Sequence, residues 1–156
     1  MLVMILFSIL GLFVVFILVR FVMLGKESQT GNIPGLKSGK LRISPKTPNC
    51  ANSEHADDAK HYIEPLKYTI AEPEKAWAQV VPIIEKMGGV IQVQEENYVA
   101  ATFQSGLFSF VDDFECRHEP GSQLIHFRSA SRVGKSDLGA NRKRILEFKN
   151  QFAAVS

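Results

Sequence analysis

The stretch GGVIQVQEENYVAATFQ, residues 88–104, decides the fold. Gly88 and Gly89 stop what precedes them, and polarity then alternates with period two through Val90 to Glu95 and again through Tyr98 to Gln104. Glu96 and Asn97 supply the turn between the two runs. The pattern predicts an antiparallel hairpin with Val99, Ala101 and Phe103 on its buried side. Upstream, AEPEKAWAQVVPIIEKMGG (71–89) sets Trp77, Val80, Val81, Ile84 and Met87 at helical spacing. Pro73 suits a first turn, whereas Pro82 removes an interior hydrogen bond and predicts a bend or two short helices. Residues 63–70 read as a short strand, with Pro65 near its start.

Downstream, residues 107–118 and 123–129 read as two more strands, separated by the turn chemistry of Glu119-Pro120-Gly121-Ser122. Phe108, Phe110, Phe114 and Cys116 share one parity with Asp112, and Asp113 falls on the opposite side, expected to be solvent-exposed. A final helix is predicted over 138–155, with Leu138, Ile145, Phe148 and Phe152 on one side and Ser136 or Asp137 as cap. The order argues for an α+β fold: an antiparallel sheet of about five strands with helices packed on one face.

Residues 1–19 are apolar except for Ser8, and the run resumes after Arg20 as Phe21-Val22-Met23-Leu24. Roughly 20 such residues cross a hydrocarbon core of about 30 Å. No basic residue precedes the run and no small-x-small cleavage site follows it before Lys26, so a retained anchor over 1–24 is preferred to a secretory signal. Residues 25–47, rich in Gly, Ser, Pro and Lys, read as a flexible linker, and 48–156 as the soluble domain. All but Arg20 of the 18 Lys and Arg, and all 16 Asp and Glu, follow the anchor, a near balance with no nucleic-acid signature. Lys26, Lys37, Lys40 and Arg42 lie on the far side of the span, which by the positive-inside rule favours a cytoplasmic domain.

Charge is uneven, however: seven basic residues between Arg128 and Lys149 face only Asp137 and Glu147. RSASRVGKSDLGANRKR (128–144) runs from the last strand through a glycine-bearing loop into the first turns of the final helix. Free N–H groups there, with Arg128, Arg132 and Arg142, suit an anion. The rival reading is an internal clamp, in which Arg128 or Arg132 pairs with Asp112 or Asp113 and Asn141 ties down the loop. Cys50 and Cys116 form no metal or redox motif and read as a disulfide pair or as two unrelated thiols. His55, Asp57, Asp58 and His61 include metal-capable groups without a regular pattern to converge them, and Cys50 with His61 has nucleophile-and-base chemistry without an oxyanion-hole motif.

SPKTPNCANSE (44–54), DDAKHYIEPL (57–66), FVDDFE (110–115) and the 128–144 segment together resemble the domain-of-unknown-function family 1499, over about 110 residues in the same order. The resemblance implies a single small α+β domain found in bacterial envelope-associated and plant plastid proteins, with no established activity, substrate or cofactor. Asn52 and Cys116 depart from its pattern, and the second departure argues against a disulfide. Its context favours an extracytoplasmic domain, against the count of basic residues, and that side is the one preferred. The resulting expectation is a single-pass, membrane-anchored, non-catalytic binding or assembly module of the cell envelope. It presents Arg128, Ser129, Ser131, Arg132, Ser136, Asp137, Asn141 and Arg142 to an anionic small molecule, lipid headgroup or protein partner, with no cofactor, metal or nucleic acid. Competing readings are a hydrolase or transferase using Asp112, Arg128 and Arg132 with Cys50 and His61, and a purely structural envelope protein.

Overall fold

The computed structural model describes residues 1–69 and 73–155. Helix α1 (Leu2–Gln29) is long and apolar enough to cross a membrane, and no part of its most apolar stretch is buried against protein. The alternating runs become a six-stranded antiparallel sheet. Strands β3 (Cys50–Asn52), β8 (Leu124–Ser131), β7 (Val111–Glu119), β6 (Tyr98–Gln104) and β5 (Val90–Glu95) lie side by side in that order, and β4 (Leu66–Lys67) pairs with β8 beyond the end of β3. Glu95 faces Tyr98 across the Glu96-Asn97 turn, as the opening stretch predicts.

Period-two alternation puts Val99, Ala101, Phe103, Phe114, Cys116, Ile125 and Phe127 on one face, where they meet Ile145, Phe148 and Phe152 of α4 (Ala140–Ala153) and Val80, Ile83 and Ile84 of α3 (Val80–Lys86). The helical stretch does divide in two, but at Gln79, between α2 (Pro73–Ala78) and α3. That break places Pro82 in the first turn of α3, where a backbone N–H has no helical partner to lose. Ile70, Ala71 and Glu72 lie outside the described residues. Of the strand expected over 63–70, the described residues form only the two-residue β4, with 63–65 and 68–69 outside any strand.

The second sheet face departs from expectation. Part of the segment 25–47, expected as a flexible linker, is folded onto it. α1 runs on to Gln29, burying Gly25 and Ser28, and a small hairpin of β1 (Leu36–Lys37) and β2 (Lys40–Leu41) follows. Leu41 is buried with Tyr98 and Ala100 of β6, and Ile33, Leu36 and Val93 pack around them. Lys and Ser on the outside of so short a hairpin hide its two inward apolar side chains from a composition argument, since only Leu36 and Leu41 mark the face.

Asp113, expected to be exposed, is 4% exposed under this cover. The strand expected to begin at Leu107 begins at Val111 instead, because Ser105–Phe110 turns out of the sheet, with Ser109 in the left-handed region at φ 55°.

Candidate functional site

Strand register dictates the polar chemistry of the second face. Glu115 stands directly opposite Arg128, Asp113 opposite Ala130, and Arg117 opposite His126. Beneath the cover of this face these side chains are largely withdrawn from water, so each charge favours a partner. Arg128 donates from Nη1 to Glu115 Oε2 at 2.8 Å, and Tyr98 Oη donates to Glu115 Oε1 at 2.7 Å. Burial pushes the Glu115 carboxyl above the usual carboxylate range, opposed mainly by Arg128. One residue pair along, Arg132 binds Asp113 through Nε at 2.9 Å and Nη2 at 2.8 Å. Burial also raises the Asp113 carboxyl, with Arg132 pulling it down.

A third group lies toward the other end of the strands. Arg117 donates to Glu54 Oε1 (2.9 and 2.5 Å) and to Glu119 Oε2 (2.6 Å). The hydrogen bonds from Arg117 and Ser122 hold Glu119 down to about 2. Glu54, Glu119 and His126 are close enough to share a metal ion. Arg117, however, already supplies a cation to both carboxylates, and burial lowers the His126 imidazole below its ordinary value.

On the helix side, the 128–144 segment closes on Asn141, which is fully buried. Its Nδ2 donates to Asn49 O (3.0 Å), Ser131 Oγ (3.0 Å) and Asp137 Oδ2 (2.8 Å), while Oδ1 accepts from Ser129 Oγ (2.5 Å) and Arg144 Nη1 (2.7 Å). Asp137 also accepts from the backbone N–H groups of Gly139 and Asn141, which caps α4. Arg144 continues to Asp112 Oδ2 at 2.8 Å and lies over the Phe103 ring at 4.6 Å. Arg142 donates to the carbonyl of Tyr62 (2.8 Å), and the Ser136 hydroxyl accepts from Leu138 N (3.4 Å).

The structure therefore brings Ser129, Ser131, Asp137 and Asn141 together. It leaves Arg128 and Arg132 on the opposite side of the sheet and sends Arg142 to a neighbouring loop. All three guanidinium groups are bonded within the chain, the arrangement of the internal clamp. Of its expected pairs Arg132–Asp113 forms, whereas Arg128 takes Glu115 and Asp112 takes Arg144.

The constellation required by a hydrolase or transferase does not assemble, since Asp112 and Arg128 project to opposite faces. His61 has Nδ1 on Asp58 Oδ2 (2.7 Å) and Nε2 on Thr47 O (2.9 Å), leaving no ring nitrogen for the Cys50 thiol. Both cysteines are free, and burial raises each thiol. Cys50 pairs in register with Ala130 and Cys116 with Phe127, neighbours of opposite parity on β8, so a disulfide across the sheet is precluded.

Glu115, Tyr98, Arg144 and Ser28 were not among the expected site residues. The i, i+2 carboxylates Asp113 and Glu115 facing the i, i+4 arginines 128 and 132 were a legible signal. The role of Ser28 was not.

Ser28 ties α1 to this end of the sheet. Its Oγ accepts from Val111 N (3.0 Å), and its carbonyl accepts from Arg132 Nη1 (3.2 Å). A Cβ at Gly25 would lie 1.9 Å from the Phe108 carbonyl oxygen, so only glycine allows α1 to sit so close. Two turns nearer the N-terminus, Phe21 stacks on Phe108 (5.1 Å between ring centres) and meets Phe110 edge-on (6.1 Å). Helix α1 thus leaves the domain beside the β6–β7 loop and next to the start of the 132–139 loop; Lys135 in that loop and, just beyond on α4, Lys143 are exposed.

A family model described as "Protein of unknown function (DUF1499)" matches residues 40–152. No curated protein matches the chain.

Proposed function

The chain belongs to the family of proteins of unknown function DUF1499, and on that premise we propose that it is a single-pass, membrane-anchored, non-catalytic module that holds one end of its sheet against lipid headgroups. The observation that carries this reading is the bonding of Ser28, in the last turn of α1, to Val111 and Arg132. The anchor continues into the domain without a flexible joint, and the end bearing 128–144 is the end from which the span departs.

Within 128–144 the arginines support the fold, and the cationic groups left for a ligand are Lys135 and Lys143. Both are exposed, and neither meets a carboxylate among the described residues. Each lysine near an anionic membrane surface contributes about 1 kcal/mol, falling off within a Debye length. A non-catalytic role accords with the absorption of the candidate nucleophile, base and carboxylates into structural bonds.

Hydrogen exchange of the full chain in nanodiscs tests the reading. Residues 133–139 should exchange more slowly on anionic than on zwitterionic lipid, and Lys135→Glu with Lys143→Glu should abolish the difference. Equal exchange on both lipids for the unmodified chain would overturn it.

A further inference from the structure

We infer that the β6–β7 loop, residues 105–110, is a second membrane element: Leu107 seats at the outer edge of the acyl layer beside α1, backed by Phe108 and Phe110. This inference rests on the anchored reading above and extends it to depth and orientation. Phe21 lies between Arg20 and Lys26, the charged residues that bracket the last apolar turn of α1. Residues 2–19 alone span about 27 Å at 1.5 Å per residue, close to the hydrocarbon thickness of about 30 Å. Phe21 is thereby set at the boundary between acyl chains and headgroups, the level at which aromatic rings concentrate, and Arg20 reaches outward along the same boundary.

Because Phe108 stacks on Phe21, the loop that carries it must occupy the same depth. The tip residue beside it, Leu107, is 83% exposed. An independent distribution points the same way. C-terminal to α1, the two most exposed large apolar side chains among the described residues are Leu107 and Leu138, at 83% and 89%. Leu138 sits on the neighbouring β8–α4 loop, held at φ 52°, and Val90, 61% exposed, begins β5 at the same end of the sheet. Water is an unfavourable surrounding for these side chains at one end of the sheet, whereas the outer acyl region removes the apolar area of Leu107 from solvent and leaves Lys135 and Lys143 at headgroup level.

The test places a fluorophore on Leu107→Cys in the full chain reconstituted in vesicles, with Glu96→Cys, at the opposite end of β6, as the distal control and Ser136→Cys as the headgroup reporter. Cys50 and Cys116 are buried and should stay unlabelled. The expected result is quenching of the Leu107→Cys label by lipids brominated at shallow acyl carbons, with a several-fold smaller iodide quenching constant than at Glu96→Cys. Iodide access equal at both positions, or equal bromolipid quenching at both, would overturn the inference. If the Ser136→Cys label still responds to anionic lipid in that event, only the loop insertion fails. If it does not, the headgroup reading fails with it.

Discussion

Arg128→Ala removes the partner of a carboxylate that is 0% exposed and leaves Glu115 with only the Tyr98 hydroxyl. Stripping one member from a buried ion pair costs about 3–5 kcal/mol, because the surviving charge is neither solvated nor neutralised. For a domain of this size that is on the order of 15 °C in Tm, a large part of the 5–15 kcal/mol typical of a small protein.

The loss should depend on pH. Burial already raises the Glu115 carboxyl, and Arg128 is the main influence opposing the rise, so the variant carries a still higher value. A carboxyl raised in the folded state binds more protons folded than unfolded, and its contribution is fully present below the ordinary carboxylate range and declines as pH rises through the shifted value. The deficit should therefore be widest near neutral pH and narrow on acidification.

A compensating change is also expected. Arg128 Nε has no acceptor among the described residues, so the pair is incompletely satisfied, and Arg128→Met combined with Glu115→Leu should recover most of the loss. Thermal melting of the full chain in detergent, followed by circular dichroism from about pH 7.5 to about pH 5, reads all three. A single variant within about 1 kcal/mol of the parent, or a deficit constant across that range, would refute the account of the second face as a desolvated ion-pair layer.

Asn141→Ala should cost about 2–4 kcal/mol, since it removes the buried acceptor of the Ser129 hydroxyl and Arg144 Nη1 and a donor to Asp137, and chemical denaturation would show it as a shifted midpoint at constant slope. Gly25→Leu should push α1 off the Phe108 carbonyl and release the Ser28 bond, speeding amide exchange at Val111 while the β7–β8 amides stay protected; unchanged exchange at Val111 would contradict the docking. His118 is lowered by burial, stacks on Trp77 and meets Tyr68 Oη at 2.7 Å. A lowered imidazole favours the fold above its unfolded value and loses that contribution as pH falls, so His118→Gln should flatten the loss of stability below about pH 6.5. Dithiothreitol should leave Tm unchanged, and two thiols should titrate only after denaturation; a reductant-sensitive Tm would mean that Cys50 and Cys116 do pair.

The sequence by itself determined the elements whose signal is periodic and local: the apolar helix, the Glu96-Asn97 hairpin, the division of the 71–89 helix and the apolar face of α4. Those signals survive because alternation and helical spacing are properties of consecutive residues. The motifs likewise indicated the family, and left an anion site and an internal clamp as open readings of 128–144, since Asn141, Asp137 and the arginines lie close along the chain. Only the tertiary structure decided that the end of α1 and the hairpin after it cover the second sheet face, and that decision reversed the reading of Asp113 from a solvated residue to a buried one. It also decided which arginine serves which carboxylate, because Glu115–Arg128 and Asp112–Arg144 follow from strand register and helix placement. The docking of Ser28 and Phe21 onto residues more than eighty positions away has no local signature at all. Its determinants are a glycine without a side chain and a serine on a helix, which become specific only when Phe108 and Val111 arrive beside them.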